Sequence, residues 1–380
     1  MKILYVTTIG ITMCFFPEHI RMLLDEGHIV EVACNNETSS VPDYCREWNL
    51  KIHNIPFSRS PFSKDNLVAY RELKKLVTTE EYDIVHTHTP NASVCVRLAC
   101  RKLRKNGLKV FYTAHGFHFY QGAPLKNWII YYPLEKLCSR WTDVLITINH
   151  EDYEIAKSKM HAIHVEEIPG IGIDLSRFTD CRIDRNAVRE EFGIKPEDKV
   201  LIYIAELNEN KNQSSLIQML AEFRKIRSDV KLMLVGKGDS EAVLKEQCEK
   251  FNVRDCVIFT GYRSDVPALL KASDVAVPSS IREGFGLNVI EAMACKIPVV
   301  AYDNRGHRTI IRNGENGFMV PMGNYKAMAE KVNLLLNDSQ IAESISKTAF
   351  SELKKYTSEN VIALMRKIYQ LESEQGGFVK

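Results

Sequence analysis

The chain has 380 residues, 45% of them hydrophobic and 26% charged, with a formal net charge of +2. That length exceeds one ordinary hydrophobic core and predicts two domains, while the near-neutral charge argues against a general polyanion or nucleic-acid binder. No run of 18 apolar residues occurs, and Met1–Thr7 is too short for a signal-peptide core, so a cytoplasmic protein is expected, with any membrane contact peripheral. The ten cysteines show no C-x-x-C spacing and read as small reduced core side chains.

Strand and helix patterns alternate from the start. Ile3–Thr7 reads as a strand and leads into a loop with Gly10, then a helix over Phe16–Glu26 stopped by Gly27. Strands follow at Ile29–Ala33, Lys51–Ile55, Asp83–His86, Lys109–Thr113, Asp143–Thr147 and Val165–Ile168. Helices lie between them, near Pro42–Trp48, Lys64–Val77, Ala92–Lys105 and Lys126–Arg140, and after His150. This alternation is the mark of a parallel sheet with helices on both faces. Ile168-Pro-Gly-Ile-Gly-Ile-Asp174 interrupts it and reads as a hinge. The second half repeats the grammar, with strands at Lys199–Ile204, Val230–Val235, Cys256–Phe259, Val275–Val277 and Pro298–Ala301. Its helices fall at Gln213–Ile226 and Glu241–Phe251, then Ala327–Asn337, Ser339–Lys355 and Ser358–Glu374. The expected fold class is α/β, two Rossmann-like doubly wound parallel-sheet domains facing across a cleft.

Residues able to do chemistry gather at predicted strand ends. In Glu283-Gly-Phe-Gly-Leu-Asn-Val-Ile-Glu291, glycines lead from a buried strand into a helix start at Leu287. Free backbone N–H groups and the positive dipole end there suit a diphosphate, and Glu283 and Glu291 suit sugar hydroxyls. Lys211 is placed to neutralise a phosphate, or is a solvated helix-start lysine. Gly236-Lys-Gly238 is a weak phosphate signal and equally a plain turn. The loop at Tyr262 and Arg263 could hold a base or be an ordinary loop. Ten of the 11 histidines precede residue 165. His86-Thr-His88 and His115-Gly-Phe-His118 end adjacent predicted strands and should converge. Their spacings fit no zinc pattern, so no metal is expected, and a substrate contact is favoured for His115. The absence of D-x-D leaves a diphosphate to a lysine and helix N-termini. The basic run Arg97–Lys105, with Trp128, Tyr131, Tyr132 and Trp141, could rest on an anionic membrane or be a solvated face over core aromatics.

Glu283-Gly-Phe-Gly…Glu291-Ala-Met-Ala-Cys followed by Pro298-Val-Val-Ala301 resembles the Glu-x7-Glu motif of the GT-B-fold glycosyltransferases of family 4. Asp83-Ile-Val-His-Thr-His-Thr-Pro90, Thr113-Ala-His-Gly-Phe-His-Phe119, Gln121–Pro124, Asp143–Asn149 and Asn313–Phe318 resemble the bacterial capsular and exopolysaccharide subgroup. The resemblance covers nearly the whole chain. It implies a GT-B arrangement: an acceptor domain at 1–170, a nucleotide-sugar domain at 171–355 and a final helix at 356–380 crossing back. It also implies transfer with retention, without a metal or other cofactor. In this scheme His115, Glu283 and Lys211 are catalytic. Glu283 meets the donor sugar, while Phe285, Gly286 and Leu287 offer N–H groups. Glu291 holds the ribose and the Tyr262–Arg263 loop the base. Gly10, Glu206, Asn210 and Gly284 complete the donor site, and His88 and His118 serve the acceptor. Ala205-Glu206 stands where many relatives have Gly-Arg, and Lys296 where they usually have Gly. The partners implied are a UDP-sugar, a polyprenyl-diphosphate-linked glycan and the inner membrane face. The rival functions are a non-hydrolysing UDP-sugar epimerase and a non-catalytic nucleotide-sugar-binding scaffold.

Overall fold

The structure, a computed structural model, describes residues 1–375; the last five positions of the expected crossing helix lie outside them. The chain divides into two compact units, one of residues 1–172 with Ser358 onward, the other of residues 173–357. It passes between them after Gly172 and again after Thr357. Beside these passages Ile173 and Thr357 form a parallel bridge.

The described residues of the first unit hold seven strands: β1 (Lys2–Ile9), β2 (Ile29–Asn35), β3 (Lys51–Asn54), β4 (Ile84–Thr87), β5 (Lys109–Ala114), β6 (Val144–Thr147) and β7 (His164–Glu167). Their order is β3-β2-β1-β4-β5-β6-β7, and every pairing is parallel. Strands buried on both faces need continuous apolar runs, and Ile3, Leu4, Tyr5 and Val6 are all fully buried. The order reverses between β1 and β4, where the carboxyl ends of a doubly wound sheet open a crevice.

The second unit contains β8 (Lys199–Ile204), β9 (Val230–Val235), β10 (Val257–Gly261), β11 (Val275–Ala276), β12 (Val300–Tyr302) and β13 (Phe318–Val320). Four pair in the order β10-β9-β8-β11, and β12 pairs with β13. A parallel bridge from Ala276 to Val299 joins the two sets, so this sheet reverses between β8 and β11. The strand β13 and the helices Arg185–Glu191, Val266–Ala272 and Arg305–Ile310 are too short to show periodicity and were not expected. The predicted helix over Ala92–Lys105 is Pro90–Cys100 followed by a 3-10 turn at Leu103–Asn106.

An aspartate precedes a strand at three places and takes an N–H from the first or second residue of the neighbouring strand. Asp83 accepts from Lys2 N at 2.6 Å, Asp143 from Val110 N at 2.7 Å and Asp274 from Val200 N at 2.7 Å. Asp143 is also held by both arms of Arg104, and Asp274 by Arg185 and Arg189. These bonds set strand register at the sheet's amino edge, leaving the carboxyl edge for loops.

The final helix, Ser358–Gln375, docks on the first unit through Tyr369, which is buried. Its hydroxyl lies 2.6 Å from His86 Nδ1 and 3.0 Å from Tyr5 OH. Tyr369→Phe keeps the ring but removes the bonds to the Tyr5 hydroxyl and to His86 Nδ1, while His86 Nε2 keeps its bond to Thr113. It should cost about 1–3 kcal/mol in urea unfolding of the full chain; an unchanged midpoint would refute this account of the docking.

Candidate active site

In the second unit, two loops from neighbouring strands meet. After β8 the chain makes a 3-10 turn, Glu209–Lys211, capped by the Asn208 side chain on Lys211 N at 3.0 Å. After β11 come Ser279, Ser280 and Glu283. Lys211 Nζ donates to Glu283 Oε1 at 2.5 Å, and Ser280 Oγ donates to the same oxygen at 2.5 Å. Ser280 is itself 2.6 Å from the Tyr203 hydroxyl, and Ser279 Oγ donates to the Lys211 carbonyl at 2.8 Å. Asn210 Nδ2 donates to the Arg282 carbonyl at 3.0 Å. The two loops that carry the ion pair are thus tied to each other, and both of its side chains are only partly exposed.

The helix Leu287–Ala294 starts at the expected residue. Gly286 precedes it at φ 117° with no side-chain cap, so the first N–H groups keep their capacity for a ligand. Phe285 is buried against Tyr356, while Gly284 continues the loop from Glu283 to Phe285. Glu291 lies on this helix. Burial raises its carboxyl above the usual carboxylate value, and the nearby Arg177 opposes that shift. Lys296, at φ 57°, holds the left-handed turn after the helix, where a glycine would be at ease. Its ammonium sits 4.8 Å over the Phe350 ring.

The other donor-side expectations fare differently. Glu206 is exposed, its carboxylate accepting from Asn208 Nδ2 and its carbonyl from Gln213 Nε2. Tyr262 is 75% exposed. The Arg263 guanidinium is taken up by Asp265 and Glu191, so this loop has its backbone and the tyrosine ring to offer a base. Gly10 is in the first unit, where a Cβ would come within 2.3 Å of the Ser39 carbonyl oxygen; this close approach by itself accounts for the glycine.

Four residues absent from the sequence reading join the site. Asn288 Nδ2 donates to the Ile204 carbonyl at 3.2 Å, and its buried Oδ1 has no partner among the described residues. Arg305 Nε donates to the Glu283 carbonyl at 3.2 Å, and Ser280 buttresses Glu283. His307 is fully buried, and its Nδ1 donates to the Tyr302 carbonyl at 2.7 Å, which leaves Nε2 unprotonated and without a partner among the described residues. The available signal was Asn304-Arg-Gly-His307 directly after a predicted strand. Gly306 lets this segment press on the loop: a Cβ there would lie 2.6 Å from both Glu283 Cβ and the Phe285 carbonyl oxygen.

In the first unit the histidines after β4 and β5 do converge. His115 Nε2 is 3.4 Å from His88 Nδ1, and the His86 and His88 rings are 4.1 Å apart. His19 packs beside Phe16, which lies 4.1 Å from His88. Burial lowers His115 and His19 to about 4, and it lowers His86 and His88 well below the usual imidazole value. These are neutral rings at physiological pH, suited to donate or accept a hydrogen bond and not to carry charge. No group of three His, Cys, Asp or Glu able to hold a metal occurs among the described residues. His118 lies apart from the cluster, stacked on Tyr131 at 4.5 Å. The basic run is reduced as well: Arg97 is 1% exposed and paired with Glu135 at 2.7 Å, and Arg104 holds Asp143.

Comparison with known proteins identifies the family of the chain. The Glycosyltransferase Family 4 model matches residues 18–177, and the Glycosyl transferases group 1 model matches residues 184–352. "Putative glycosyltransferase EpsD" of Bacillus subtilis (strain 168) is 40% identical over 371 residues, 97% of this chain and 96% of that protein. The UDP-Gal:alpha-D-GlcNAc-diphosphoundecaprenol alpha-1,3-galactosyltransferase of Escherichia coli is 27% identical over 363 residues, 93% of this chain and 91% of that one. Among solved structures, Anabaena Alr3699/HepE in complex with UDP and glucose superposes with a TM-score of 0.80 at 20% identity, over 97% of this chain and 99% of that chain. The fold is the two-unit GT-B fold of glycosyltransferases. The chain belongs to glycosyltransferase family 4.

Two outcomes test the site's physics. Gly306→Ala should cost about 1–3 kcal/mol in unfolding experiments, because the loop must move to admit the methyl group; full stability would contradict the close approach. For the histidines the folded values lie below the unfolded value of about 6.5. The unfolded state therefore binds more protons between that value and about 4. Stability should be complete above pH ~6.5 and fall as the pH drops, by about 1.4 kcal/mol per unit for each fully titrating ring. A urea midpoint that stays level from pH 7 to pH 5 would contradict a buried neutral cluster.

Proposed function

We propose that this glycosyltransferase moves a hexose or N-acetylhexosamine from a UDP-sugar, with retention and without a metal ion. Its acceptor is a polyprenyl-diphosphate-linked glycan of capsular or exopolysaccharide synthesis, reached at the inner membrane face. The observation that carries the reading is the Lys211–Glu283 pair beside the uncapped helix start at Leu287. An ammonium and free N–H groups at one edge match the charge that grows on a departing diphosphate.

Glu283 Oε1 is occupied by Lys211 and Ser280, which orients Oε2 for the hydroxyls of the donor sugar. Glu291 takes the ribose hydroxyls, whose hydrogen bonds offset the cost of its burial. The bond from the anomeric carbon to the diphosphate oxygen breaks as the acceptor oxygen bonds to that carbon from the same face. The acceptor's proton passes to a diphosphate oxygen, so no protein base is needed. Neutral His115 donates to or accepts from a hydroxyl of the reacting sugar. The E. coli relative uses UDP-Gal and a diphosphoundecaprenol-linked acceptor and makes an alpha-1,3 bond; from an α-linked donor, an α product is the retained configuration.

Lys211→Ala and Glu283→Ala should each lower kcat by about 10²–10³-fold with the melting temperature little changed. A panel of UDP- and GDP-sugars screened by thermal shift identifies the donor, EDTA should leave the rate intact, and NMR of the product should show the α anomer. Wild-type turnover by Lys211→Ala would sink the assignment. A UDP-sugar converted with no acceptor would favour the epimerase.

A further inference from the structure

His115 stands where its own stretch of chain cannot fix it. The next residue, Gly116, has φ 133°, a value that glycine adopts with ease and other residues seldom do. The backbone beside His115 is therefore free to turn unless something distant holds it. Beyond the glycine, Phe117 and Phe119 are buried with their rings stacked 4.9 Å apart, while His115 and His118 keep part of their surface open. Gly116, Phe117, His118 and Phe119 line one wall of a cavity of about 350 Å³ at the carboxyl ends of the strands.

Two helices reach into this loop with buried polar side chains. From the helix His150–Lys159, Asp152 Oδ2 accepts from Phe117 N at 3.0 Å, across 35 positions of sequence. Asp152 is not the cap of its helix. Asn149 is, accepting from Asp152 N at 2.9 Å, and Asn149 Nδ2 donates to Asp152 Oδ2 at 2.9 Å. The cap thus aims the carboxyl group, and helix capping alone does not account for an oxygen turned onto another loop. From the helix Leu125–Ser139, Asn127 Nδ2 donates to the His118 carbonyl at 2.8 Å. Asp152 and Asn127 are both buried, and together they grip the Phe117–His118 dipeptide at its two ends.

We propose that Asp152 and Asn127 are positioning residues for sugar transfer: their bonds to Phe117 and His118 hold the loop beyond Gly116 in the one path that presents His115 to the reacting sugar. An N–H or carbonyl buried without its partner is costly, so the loop keeps that path before any ligand arrives. Neither side chain touches the substrate, and both act through the loop. The proposal rests on the reading of His115 as a contact of the sugar.

The test uses the full chain, the UDP-sugar that gives the largest thermal shift, and N-acetylglucosaminyl diphosphate on a phenoxyundecyl tail as acceptor, with UDP release as the readout. Asp152→Leu and Asn127→Ala should each lower kcat by roughly 10²-fold, with KM for the UDP-sugar little changed. Asp152→Asn keeps an acceptor oxygen for Phe117 N and should keep more of the rate than Asp152→Leu. UDP should bind all the variants as it binds the wild type, which shows that they fold. Hydrogen exchange of residues 115–120, which needs no acceptor, should be faster in Asp152→Leu and Asn127→Ala. Wild-type kcat or unchanged exchange in Asp152→Leu would overturn the proposal. So would an Asp152→Asn protein as slow as Asp152→Leu, since the bond to Phe117 would then not be what matters. His115→Ala at wild-type speed would remove the sugar contact on which the proposal rests. A slow His115→Ala beside a fast Asp152→Leu would remove the positioning role alone.

Discussion

The pairing of β8 with β11 is the constraint on which the Lys211–Glu283 constellation depends. The strands are parallel neighbours at the point where the sheet reverses its order. Both loops therefore leave the same edge, and two side chains 72 positions apart come within 2.5 Å. A lysine and a glutamate on separate surface loops would be worth little to each other. Here each is anchored through the other's loop, by Ser279 to the Lys211 carbonyl and by Asn210 to the Arg282 carbonyl. The pair is held before any ligand arrives, and preorganised charge of that kind stabilises a leaving group without reorganisation during the reaction.

The first unit uses the same geometry for a different purpose. Its reversal lies between β1 and β4, where the Thr8 and Thr89 hydroxyls are 2.7 Å apart. The neighbouring ends of β4 and β5 carry histidines whose charge is suppressed by burial. The final helix closes over them through Tyr369 and links the stability of the cluster to the docking of that helix. Asp83, Asp143 and Asp274 perform one task at the opposite edge in both units. The repeated grammar of the two halves therefore extends to the way strand register is set.

Much of this was legible. Alternating apolar runs and helical segments predicted the parallel α/β class in both halves, and the glycines before Leu287 located a helix start to the residue. The histidine pairs were expected to converge because their strands were expected to be neighbours. What stayed hidden depended on partners distant in sequence. Arg97 reads as part of a basic surface run, yet Glu135, 38 positions away, draws it into the interior. Arg263 reads as part of a loop that could hold a base, and its guanidinium is taken up by Glu191 and Asp265. His307 stood outside the histidine-rich half, and only packing against the Glu283–Phe285 loop gives it a place in the site. Gly10 looked like part of a ligand loop, and the backbone at Ser39–Val41 explains it without one.

The sequence by itself determined the class of fold, the two halves and the strand ends where chemistry could gather. Hydrophobic periodicity and turn residues are local properties and survive in a linear reading. Tertiary structure alone decided which strand ends are adjacent, which charges pair and which are left to meet a substrate. It also decided which imidazoles lose their protons to burial. Those outcomes depend on strand order and desolvation, both of which arise only when distant segments pack together.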